Sequence, residues 1–191
     1  MANNDAAFGM KPVKMIGGSP YTGGVSRYRI AANYDTAIFQ GDMVAQVTGG
    51  GVEVHADGGT VPIVGVFNGC QYTDPTTSEQ VFSNFYPAST NASDIVASVF
   101  VDPYIVYEAQ HDGTGTAAMN NSAFDFVGTS GSTLSGQSTS EIDTSTSGTS
   151  GGFKQIGISK DPENSDTSSA NANAYVVFNT GEHVFKLTTG V

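Results

Sequence analysis

The residues able to do chemistry are few and widely spaced. Histidine, a common metal ligand, occurs at His55, His111 and His183. No two of these fall within one helical turn or one strand, so a shared metal would have to be assembled by the fold. Surface or turn histidines are the simpler reading. Asp102, Glu108, Asp112 and Asp125 lie in one stretch and could supply the paired carboxylates of glycoside hydrolysis. A solvated acidic face accounts for them with fewer assumptions. Asp112-Gly113 and Asp161-Pro162-Glu163-Asn164 offer oxygen atoms to calcium, yet neither spaces them as a calcium loop does, and turn formation explains both. The sequence carries no phosphate-cradling glycine loop, dinucleotide fingerprint or His-Glu-x-x-His motif. The expectation is a chain with no catalytic residue, no metal and no cofactor. The lone cysteine, Cys70, cannot close an internal disulfide and reads as a small buried hydrophobe.

Tyr72, Phe82, Phe85, Tyr86, Tyr104 and Tyr107 make the centre of the chain rich in aromatic side chains. Such a set can form a carbohydrate surface. A core or a subunit interface is the better expectation, because aromatic residues dominate both. Tyr72, Phe82, Phe85 and Tyr86 are therefore the candidate interface residues. Charge narrows the partners further. With 18 Asp and Glu against 7 Lys and Arg, the formal net charge is −11, which opposes direct binding to nucleic acid. Lys11, Lys14, Arg27 and Arg29 all fall early in the chain, an asymmetry that suits a segment reaching over an acidic neighbour. The opening residues have no basic and apolar leader, and no apolar run approaches the ~20 residues of a membrane span. No membrane partner is expected.

The elements that would position these residues are strands. Residues 1–27 are punctuated by Gly9, Pro12, Gly17-Gly18, Pro20 and Gly23-Gly24 and read as an extended arm. Its apolar side chains, among them Phe8, Met10, Met15, Ile16 and Tyr21, need cover from the arm's own domain or from a partner. Residues 28–191 read as a single β-rich domain. Within it, Ile38 to Phe67 has the pattern of a three-stranded meander: Met43 to Val47, Val52 to His55 and Val61 to Phe67, broken at Thr48-Gly51 and Asp57-Gly59. Asn68 to Pro87 predicts a long hairpin whose returning strand is Gln80 to Tyr86. Ile95 to Val101, Tyr104 to Tyr107, Phe153 to Ile158 and Ala174 to Phe178 are further strands, and Thr116 to Phe124 holds at most one helical turn. The Ser/Thr/Gly-rich stretch 128–152 has too few large apolar side chains to bury a core and reads as a long loop or weak edge. The fold class is all-β, a compact barrel or jelly-roll-like sandwich with an extended N-terminal arm.

Several of these pieces resemble a known family. Ile38-Phe39-x-Gly41-Asp42-x-Val44, Gly51 with Val54, and Val64-Gly65-Val66-Phe67 resemble the head decoration, or cement, proteins of tailed bacteriophages. Tyr72-Thr73-Asp74-Pro75-Thr76, Ile95-Val96-Ala97-x-Val99 with Asp102-Pro103, Val106-Tyr107-Glu108-Ala109-Gln110, and Ile156-Gly157-Ile158 with Asp161-Pro162-Glu163-Asn164 look similar to structural proteins of marine podovirus heads. The resemblance implies a non-catalytic protein on the outer surface of the virion, made in the host cytoplasm. Its partner would be the major capsid protein, and it would often be a homotrimer. The arm residues Phe8, Met10, Lys11, Lys14, Met15, Ile16 and Tyr21 are then the expected capsid contacts. The alternative expectation is a carbohydrate- or host-surface-binding sandwich domain of a virion spike or fibre.

Overall fold

Apolar and polar residues alternate where one face of a strand meets water, and run on without a break where both faces are covered. Both patterns occur in this chain, and they sort eleven of its thirteen described strands into two sheets, the other two forming a small antiparallel pair, Phe126–Val127 with Glu141–Ile142. The computed structural model describes residues 2–56, 61–128 and 130–186. Among these the strands in chain order are β1 (Lys11–Met15), β2 (Ser26–Arg29), β3 (Met43–Gln46), β4 (Val52–Val54), β5 (Ile63–Thr73), β6 (Gln80–Ser83), β7 (Val96–Phe100), β8 (Ile105–Gln110), β9 (Ala123–Phe124), β10 (Phe126–Val127), β11 (Glu141–Ile142), β12 (Phe153–Ile158) and β13 (Asn173–Phe178). A five-stranded sheet has the order β1-β8-β13-β12-β9. A six-stranded sheet has the order β2-β7-β5-β3-β4, with β6 also paired to β5. All pairings within both sheets are antiparallel, and the two sheets pack as a β-sandwich.

The core between the sheets gathers Met43, Ile63, Val66 and Phe100 from one sheet and Ile105, Tyr107, Val176 and Phe178 from the other. A second cluster, including Val44, Val64, Phe67, Ile95 and Val99, lies on the far side of the six-stranded sheet, under Ile30, Ile38 and Tyr86. The six-stranded sheet is thus covered on both faces, which is why Ile63 to Phe67 is buried at every position. The tightest approach within that sheet is at Gly65, where a β-carbon would collide with the carbonyl oxygen of Phe100 on β7. The five-stranded sheet is covered on its inner face by the core, and its outer face carries lysines.

Three expectations change in detail. The meander from Ile38 to Phe67 has its three strands, but β3 lies between β4 and β5, so the chain passes over β3 instead of running in sequential order. The central position goes to a strand with two coverable faces, and the short β4, with half-buried Glu53, takes the edge. The turn expected at Asp57-Gly59 lies outside the described residues. The third run does not stop at Phe67. It continues to Thr73 through a bulge at Gly69, where φ is 125°, while the returning strand β6 ends at Ser83. Finally, residues 11–15 are extended, and of the two covers open to them they take their own domain. β1 pairs with β8 from Lys11↔Glu108 to Met15↔Ile105, and Met10 is 1% exposed within the core. Apolar side chains in this segment find cover locally, and Pro12 is tolerated because β1 is an edge strand.

Candidate functional site

Each group with chemical potential is held by a structural task. His55, His111 and His183, expected at the surface or in turns, are all buried. The Nδ1 of His55 faces the Ala56 carbonyl at 2.7 Å and its Nε2 faces that of Val61 at 2.6 Å. His111 Nε2 lies 2.9 Å from Gln155 Oε1, and the ring meets Phe124 edge-on. Burial holds the pKa of His111 below the usual value. The His183 ring lies 4.5 Å from that of Phe178, tilted by 46°, and burial, with nearby Lys186, brings its pKa down to about 4. The three are in different surroundings, each beside an aromatic ring. Among the described residues no three His, Cys, Asp or Glu side chains gather as a metal site.

The four candidate carboxylates are likewise engaged. Asp102 accepts from the Tyr104 amide at 2.8 Å, Asp112 from the Thr144 amide at 2.8 Å, and Asp125 from the Gly152 amide at 3.2 Å. Glu108 accepts from the Ser159 hydroxyl and lies 3.8 Å from Lys11. Asp161 accepts from the amide of Glu163, as turn formation requires. Cys70 is 6% exposed, and burial pushes its thiol up to about 12, so it is a packed side chain and not a ready nucleophile.

Sequence reasoning missed an amide network that fastens the leading segment. Asn3 Nδ2 donates to the carbonyls of Asp166 at 2.8 Å and Ala170 at 2.7 Å. Gln110 takes the Ala6 amide at 2.9 Å and gives a hydrogen bond to the Asn4 carbonyl at 2.8 Å. Asn164, 6% exposed, donates to the carbonyls of Asn4 and Asn171 at 2.7 and 2.8 Å. The available signal was the density of asparagine at both ends of the chain. Asn3 and Gln110 each give and take hydrogen bonds at once, which suits an amide to joining two irregular segments.

The expected contact residues are divided by the fold. Met10 is enclosed, and Met15 and Tyr21 pack against the inter-sheet core, Tyr21 edge-on to Phe100 at 5.4 Å. Phe8 is half-buried on the wall of a cleft of about 510 Å³, together with Met10, Lys11, Gln40, Asn68 and Glu108. Lys11, Lys14 and Ile16 remain exposed on or beside β1. Of the aromatic interface candidates, Tyr72 and Tyr86 are buried, Phe85 is stacked on Phe39, and Phe82 is 72% exposed. Set against family models, curated proteins and solved structures, the chain shows no match. The surface that gathers exposed charge and apolar area together is the outer face of the five-stranded sheet, where Lys14 Nζ stands 5.1 Å over the Tyr175 ring.

Proposed function

We propose that this chain is a capsid cement protein, binding the outer surface of an icosahedral shell where capsid subunits meet. The observation that supports the reading is the outward side of β1. Lys11 and Lys14 project from an edge strand backed by a packed core, with Ile16 directly after it, so they offer charge and apolar area with little backbone entropy left to lose. A surface of this kind suits a protein that must hold a shell together without chemistry. The major capsid protein is the partner in this reading, and copies grouped as trimers on a symmetric lattice would add multivalency to modest individual contacts. No cofactor, nucleic acid or membrane takes part in it. The burial of Tyr72 and Tyr86 counts against the alternative, a carbohydrate- or host-surface-binding spike domain displaying its rings, whereas Phe82, 72% exposed, does not.

Co-sedimentation of purified protein with DNA-filled heads that lack it tests the reading. Binding to filled heads is expected, with weakening by Lys11→Glu and Lys14→Glu together. Absence of binding by the unaltered protein would overturn it. Removing residues 1–20 is not an equivalent test, because it also strips β1 from the sheet and Met10 from the core.

A further inference from the structure

We infer that the docking surface is the lysine-bearing part of the outer face of the five-stranded sheet, including residues from the far end of the chain, and that its partner is an acidic capsid surface with an apolar centre. The inference rests on the capsid reading and extends it beyond β1. Strand register lays the face out in rows. In one row Lys11 pairs with Glu108, Glu108 with Tyr175, and Tyr175 with Gly157. In the next, Lys14 pairs with Val106 and Val177 pairs with Lys154. Val106 and Val177 follow directly on the pair Tyr107↔Val176, so the two lysines flank two valines across three strand spacings, or about 14 Å. Val106 and Val177 are 0% and 4% exposed, yet neither belongs to the inter-sheet core. Long lysine stems and the Tyr175 ring are suited to covering them from outside.

Lys186 enlarges the patch. It donates to the Phe178 carbonyl at 2.7 Å and stands 5.2 Å over the Tyr104 ring. Burial and then the charge of Lys154 hold its pKa below the usual value, so the two ammonium groups sense each other. Around them Ile16, Tyr104 and Phe185 are 53%, 55% and 62% exposed, and the Ile16 amide donates to the Tyr104 carbonyl at 2.8 Å.

Charge complementarity selects the occupant. Four of the chain's seven basic residues, Lys11, Lys14, Lys154 and Lys186, belong to this patch, in a chain of net charge −11. Glu108, 3.8 Å from Lys11, and Asp102, whose charge acts on Lys186, are carboxylates beside these four lysines, while Arg27 and Arg29 lie on β2 in the other sheet. An acidic protein surface is therefore attracted here and repelled elsewhere, which fixes orientation as well as partner. A polyanion such as nucleic acid extends beyond the patch into the repulsive field of the rest of the chain. The exposed isoleucine and aromatic side chains also call for an apolar partner at the centre of the contact.

The test uses full-length protein and DNA-filled heads lacking it, with co-sedimentation read across a salt series. Lys154→Glu combined with Tyr104→Ser is expected to weaken binding by about tenfold or more, while Arg27→Glu, the same charge change on the other sheet, leaves it within about twofold. Lys154→Met, which keeps a stem of similar length and loses the charge, is expected to weaken binding in the same direction and guards against misfolding of the double variant. If the unaltered protein binds heads and the Lys154 variants bind equally well, this face is not the contact and the cement reading survives. If the unaltered protein does not bind, both fall. Sedimentation of the protein alone, and titration with a single-stranded oligonucleotide, supply the remaining arms. Self-association or oligonucleotide binding that the Lys154 variants abolish would give the face to a second copy or to nucleic acid, and would overturn the inference.

Discussion

Asp42 leads into β3 and is 1% exposed, with its Oδ2 accepting a hydrogen bond from the Phe39 amide at 2.7 Å. That bond and hydroxyls from Ser138 and Ser140 favour the charged form, but burial outweighs them and pushes the pKa from 3.8 up to about 6. Asp42→Asn keeps the shape and removes the charge. The sign follows from linkage. Because the folded pKa is the higher one, the favourable contribution is complete below about pH 4, where both states hold the proton. It falls as the unfolded chain ionises first, and it is lost once pH passes the folded value near 6. A shift of about two units corresponds to about 3 kcal/mol. The stability of Asp42→Asn minus that of the unaltered protein should therefore rise by about 3 kcal/mol between pH 4 and pH 7 and stay level above that. Urea unfolding of both proteins at half-unit steps of pH measures it. The comparison matters because His183, with its pKa lowered to about 4, makes stability rise with pH over an overlapping window and would mask the trend in one protein alone. Two stability curves that stay parallel, or a variant that loses ground as pH rises, would refute the assignment of a buried carboxylate resisting ionisation.

Gly65→Ala forces a methyl group against the Phe100 carbonyl and should cost about 2 to 3 kcal/mol in equilibrium unfolding, through separation of β5 from β7. Asn164→Ala removes the donors to the Asn4 and Asn171 carbonyls, and a loss of about 1 to 3 kcal/mol is expected, with faster amide exchange at residues 2–10. Phe82→Ser should change the stability of the isolated chain by less than about 0.5 kcal/mol, since the ring is 72% exposed. A larger loss that depends on protein concentration would show that a partner copy covers it.

How far the candidate surface was legible follows from where its residues come from. Lys11, Lys14 and Ile16 stand close together in sequence and were readable as a contact segment. Lys154 and Lys186 were not, because nothing local links them to β1. They join it only through the register of β8, β13 and β12. The early cluster of Lys11, Lys14, Arg27 and Arg29 was conversely a grouping along the chain and not in space, since β1 and β2 enter different sheets.

Alternation, β-branched runs and glycine breaks determined by themselves that this chain is all-β and where most of its strands lie, because those signals act within a few residues. Aromatic enrichment pointed to a core or an interface without separating the two: Tyr72, Tyr86 and Tyr107 are buried, while Phe82 and Tyr104 are 72% and 55% exposed. Tertiary structure alone decided that β3 separates β4 from β5, that residues 11–15 complete a sheet, and that one sheet is covered on both faces while the other keeps a basic outer face. Those outcomes depend on which distant strands pair. Pairing is settled by how much apolar surface each arrangement covers, a property of the whole chain that no short window contains.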